Sequence, residues 1–68
     1  MIKTEQLTGA GFEQNELGDW SHQDFPHIKF TYFDGAITGV REMENYHGLS
    51  LNITTIRELL AFLKYLPD

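Results

Sequence analysis

The sequence predicts an α+β fold: a three- or four-stranded antiparallel sheet with a short N-terminal helix and a C-terminal amphipathic helix packed on one face. Three observations carry this. Asn52 to Asp68 has a start signal, one apolar face and a stop signal, as a helix requires. Asp34-Gly35 stands between two alternating runs and marks a β-hairpin, because both central positions of such a turn need positive φ. The chain has 68 residues, which make one small domain, 1–68, with no repeat, linker or low-complexity tract.

Thr4 to Phe12 opens as a short helix, with Thr4 as N-cap and Gly9 or Gly11 as the stop. A helix of barely two turns needs the rest of the fold to hold it. Phe12 to Leu17 reads as a strand, Gly18-Asp19 as a turn, and Trp20 to Pro26 as a loop without a clear period. Pro26 has no amide to give a ladder, so the next strand is expected to start after it.

His27 to Phe33 is the clearest strand. Ile28, Phe30 and Tyr32 share one face; Lys29, Thr31 and Phe33 share the other. After the Asp34-Gly35 turn, Ala36 to Arg41 is the return strand. A plain register sets Tyr32 opposite Ile37, Phe30 opposite Gly39 and Arg41 opposite Ile28. The last pairing fits poorly. A bulge at Gly39 would bring Val40 onto the Ile28 face instead. Glu42 to His47 is polar, Gly48 punctuates it, and Leu49 to Ile53 alternates as a last strand.

The final helix has two rival caps. Thr55-Ile56-Arg57-Glu58 matches the capping box; Asn52 competes, with Leu51 and Ile56 as its staple. Ile56, Leu59, Leu60 and Leu63 form the apolar stripe, and Ile53, Phe62 and Leu66 widen it. Pro67 stops the helix. One sheet face needs a stripe of about 100°, and this arc is wider. The edge formed by Phe62 and Leu66, with Tyr65 beside them, is therefore a candidate contact for a partner.

Composition narrows the function classes. A chain this short is marginal without a disulfide, a metal, a partner or a dense core. It has no cysteine, which removes disulfides and thiolate metal sites and fits a reducing cytosol. Five Phe, three Tyr and one Trp supply core material. No apolar run follows Lys3 as in a secretory signal, and Leu59 to Leu63 is too short to span a bilayer. A soluble, cytoplasmic protein with no membrane contact is expected.

Net charge is −5, and residues 1 to 28 hold five acids (Glu5, Glu13, Glu16, Asp19, Asp24) against Lys3. An acidic surface that includes Glu13, Glu16, Asp19 and Asp24 disfavours direct nucleic-acid binding, which needs a basic footprint. It suits a basic protein surface, or simply keeps the chain soluble.

No group of residues marks a reaction. His22, Asp24 and His27 lie close together but match no zinc spacing, and read as surface-loop residues. His47, near Glu44 and Tyr46, has no nucleophile or second catalytic group beside it. Gly9-Ala10-Gly11 follows no strand and precedes no lysine, unlike a phosphate loop. No catalytic residue, metal or cofactor is assigned.

The aromatic residues are better candidates, since Trp and Tyr dominate binding hot spots. Trp20, Phe33, Tyr46, Phe62, Tyr65 and Leu66 form the predicted partner-binding set. Phe33 would lie on the uncovered sheet face with Lys29, Thr31 and Thr38. Trp20 either folds over that face or caps the core.

Gly11-Phe12, Trp20, Phe30-Thr31-Tyr32 with Asp34-Gly35, and Ile53-Thr54-Thr55-Ile56-Arg57-Glu58-Leu59 together resemble small α+β proteins of Bacteroides-type bacteria and their phages. The chain departs from them at Arg57-Glu58, where they often carry His-Gln. The resemblance implies a phage or mobile-element origin and no particular activity. The expected function is a small non-enzymatic protein-binding module, such as an inhibitor of a host nucleic-acid-handling or defence protein. The alternative is a structural homo-oligomer or a small accessory subunit of a larger assembly.

Overall fold

A computed structural model describes residues 1–42 and 45–66, with the side chains of all but 45–47. The order is α1 (Thr4–Gly9), β1 (Phe12–Gln14), β2 (Trp20–His22), β3 (Phe25–Phe33), β4 (Ala36–Glu42), β5 (Asn45–Ile53) and α2 (Ile56–Leu63). The fold is α+β, as the sequence predicts, but the sheet has five antiparallel strands in the order β1-β2-β3-β4-β5. Each strand pairs with its neighbours in the chain.

The additional strand comes from Trp20 to His22, which the sequence presents as loop. It pairs with both sides: Phe12 with His22 on β1, and Trp20 with Phe30 on β3. On the other side of β2, Asn15 ends β1 early. Its Oδ1 accepts the amides of Leu17 and Asp19, each at 2.9 Å, and folds the chain back. Hence β1 stops at Gln14 and does not reach Leu17. β3 starts at Phe25, before Pro26, because Pro26 falls where the β2–β3 register shifts and a ladder amide is not required.

The β3–β4 hairpin forms at Asp34 (φ 51°) and Gly35 (φ 79°). Tyr32 pairs with Ile37 as expected. The register then slips by one residue between Thr31 and Tyr32, so Gly39 faces Thr31 and not Phe30. Val40 thereby joins the Phe30 face, and Arg41 pairs with Lys29 on the opposite face. β5 starts at Asn45, earlier than the alternation predicts. Gly48 lies inside the ladder, where an added Cβ would come within 3.2 Å of the Val40 carbonyl oxygen.

α1 is capped by Lys3, not Thr4, because the Gln6 side chain reaches back to accept the Lys3 amide at 2.9 Å. Gly11, at φ 96°, ends the turn. For α2 the structure selects Thr55, whose Oγ1 accepts the Glu58 amide at 3.2 Å, while Asn52 belongs to β5.

The core lies on one sheet face. Phe30 is its centre, fully buried between the rings of Phe12 (5.7 Å) and Phe62 (6.1 Å), both edge-on. Ile2, Leu7, Ile28, Ile37, Val40, Ile53, Leu59 and Leu63 complete it. The buried stripe of α2 is centred on Leu59 and Leu63 and turned towards Phe62, which leaves Leu60 at the exposed edge. The N-terminal residues strap the hairpin: the Ile2 amide donates to the Gly35 carbonyl at 2.7 Å, and the Tyr32 hydroxyl donates to the Ile2 carbonyl. No helix among the described residues is long and apolar enough to cross a membrane.

Candidate functional site

α2 has eight residues and β3 and β5 have nine each. At 1.5 Å per helical residue and about 3.3 Å per strand residue, a helix of about 12 Å lies over strands of about 30 Å. It cannot cover them. At its C-terminal end the inner face opens into a cleft of about 150 Å³. Ile28 and Val40 form the floor, Leu49 of β5 one wall, Phe62 and Leu66 the other, and Arg41 and Glu42 the lip.

Local sequence explains the walls. The last helical turn tightens: the amides of Lys64, Tyr65 and Leu66 donate three residues back, to Ala61, Phe62 and Leu63. In such a turn residues three apart eclipse. Tyr65 therefore stands one turn beyond Phe62, and Leu66 beyond Leu63. Phe62 and Leu66 are half-buried, and Tyr65 is 85% exposed. Leu49 pairs with Val40 and so belongs to the apolar face, yet it is 65% exposed, because the helix stops short of it.

The lip carries charge of both signs in different states. Arg41 turns to the opposite side, where Nη2 donates to Asp19 Oδ2 at 2.7 Å. Glu42 pairs in register with Ile28, on the same face as the cleft floor, and is exposed.

The predicted partner-binding residues separate into three groups. Phe62 and Leu66 line the cleft, whereas exposed Tyr65, in the same last turn, does not. Phe33 is exposed next to the hairpin turn, apart from the cleft. Trp20 is in the core at 5% exposure, on the Phe30 face with its ring 6.3 Å from Tyr32, and so is removed from the contact surface. The side chain of Tyr46 lies outside the described residues, as do Glu44 and the side chain of His47. Sequence reasoning missed Ile28, Val40, Leu49 and Glu42 as cleft residues. The sequence hid the cleft because β3 and β5 read as shorter, and α2 as longer, than they are.

The predicted acids do not form one patch. Glu13, Glu16 and Asp24 are exposed, whereas Asp19 is partly covered and paired to Arg41. Glu16 and Asp19 flank the β1–β2 turn; Asp24 lies in the β2–β3 turn at the other end of β2.

His22 is not a loop residue. It is buried on β2, with its ring edge-on to Phe12 at 5.0 Å. Nδ1 accepts the Asp24 amide at 3.1 Å, so Nε2 carries the hydrogen and donates to the Ala10 carbonyl at 3.0 Å. His22 thus ties the end of α1 to β2, while His27 is exposed. Among the described residues no group of three His, Asp or Glu is placed to hold a metal ion.

No family model, curated protein or solved structure matches the chain.

Proposed function

We propose that the chain is a small non-enzymatic protein-binding module that receives part of another protein in the cleft at the end of α2. The observation that carries this is Leu49, a large apolar side chain left 65% exposed beside half-buried Phe62 and Leu66. An apolar concavity with charge at its lip has the anatomy of an interface core and rim. Its volume suits one large side chain and falls below the roughly 300 Å³ at which small-molecule sites begin. If the chain has the phage or mobile-element origin that the resemblance implies, inhibition of a host nucleic-acid-handling or defence protein is a natural role of this kind.

A photo-crosslinking residue at position 49 tests the reading in the native cells, with position 17 as the control. Leu17 is also exposed but sits in the β1–β2 turn and does not line the cleft. Adducts to another protein from position 49 alone are expected. No adduct, or equal adducts from both positions, would overturn it.

A homo-oligomer or accessory subunit is the second reading, and β5 favours it. β1 closes one edge of the sheet with three residues, whereas β5 offers a nine-residue edge strand. Position 49 would then crosslink to a second copy of the chain.

A further inference from the structure

We propose that the occupant of the cleft is a polypeptide segment with one large apolar side chain next to a Lys or Arg, and that Glu42 is the group that reads this charge. The inference rests on the protein-binding reading above and adds the chemistry of the partner.

The register places Glu42 opposite Ile28, so the carboxylate rises from the same face as the cleft floor. It lines the mouth and is exposed. The other charge at the lip is already matched, since Arg41 donates to Asp19 at 2.7 Å. The ion pair among the described residues is Arg41–Asp19, and it does not involve Glu42. The lip therefore presents negative charge beside an apolar hole.

The whole chain adds to this field with a net charge of −5. A basic segment is drawn towards such a surface, and an acidic one is repelled. A second copy of this chain would bring its own excess of acids to the lip, so charge favours a different, basic partner. Size fixes the rest. A volume of about 150 Å³ accommodates one ring or branched aliphatic group, as an apolar cavity of that size holds benzene. The flanking Lys or Arg can lay its aliphatic stem along Leu49 and keep its charged end at Glu42.

Short random peptides displayed on phage and selected on the immobilised chain provide the test. Parallel selections use the Leu49→Arg and Glu42→Lys variants, each first shown to melt like the parent. Both positions are exposed, so both variants are expected to fold. The parent should select one large apolar residue flanked by Lys or Arg. Glu42→Lys should keep the apolar residue and change the flank to Asp or Glu. A peptide selected on the parent should bind Glu42→Gln about threefold more weakly, the size expected of an exposed ion pair, and should lose binding to Leu49→Arg. Apolar peptides without a charge preference, unaffected by Glu42→Lys, would overturn this inference and leave the protein-binding reading standing. Peptides indifferent to Leu49→Arg, or no selected peptide, would overturn both.

Discussion

Replacing His22 by alanine separates a buried structural histidine from an exposed one. His22→Ala removes the donor to the Ala10 carbonyl and the acceptor for the Asp24 amide, bonds of 3.0 and 3.1 Å. Each such bond contributes about 1 kcal/mol net. The ring also loses its edge-on contact with Phe12, of the kind that adds about 0.5–1.5 kcal/mol. The sum is about 2–4 kcal/mol. At about 0.05–0.15 kcal/mol per residue, a domain of this length has only about 3–10 kcal/mol in all. With a Tm shift of about 4–8 °C per kcal/mol at this size, His22→Ala should melt roughly 10–30 °C lower. Far-ultraviolet circular dichroism and Trp20 fluorescence would follow the transition. His27→Ala, at an exposed position, should stay within about 0.5 kcal/mol of the parent. Equal small shifts for the two variants would refute the assignment of His22 to the frame.

Gly35→Ala should cost about 2 kcal/mol. The φ of 79° is unfavourable for an L-residue by about 1–2 kcal/mol, and the new Cβ would collide with the Met1 side chain. Gly39→Ala is the control in the same urea titration. Its nearest neighbour stands 3.5 Å away, and a change below about 0.5 kcal/mol is expected. Thr55→Ala should lower stability by about 1 kcal/mol through loss of the Glu58 cap, read as a lower urea midpoint with an unchanged m-value.

The hairpin, its bulge and α2 were legible because each rests on local chemistry. Asp34-Gly35 states a turn type, and an alternation broken at Arg41 demands a slipped register. Thr55 with Glu58 states a cap. β2 was not legible, since Trp20-Ser21-His22 is too short to show a period and takes its strand geometry from β1 and β3. Pro26 pointed away from a strand, but a register shift made room for it. For the site, the helical wheel located Phe62 and Leu66. The cleft floor depended on the β3–β4 bulge together with the stop of α2, a combination of distant features that no single window contains. Trp20 has the composition of a hot spot, but its position opposite Phe30 assigns it to the core.

The neighbour-to-neighbour strand order also bears on how the chain acquires its structure. Each hairpin can close with a short loop, so the sheet can grow as a series of local events, the topology associated with fast folding. The Ile2 strap is different in kind. Tyr32 and Ile2 are thirty residues apart, and the hairpin that receives the strap must exist first. That contact is the natural last step of folding and the first to open, so the Ile2 amide should exchange faster than the ladder amides of β3 and β4.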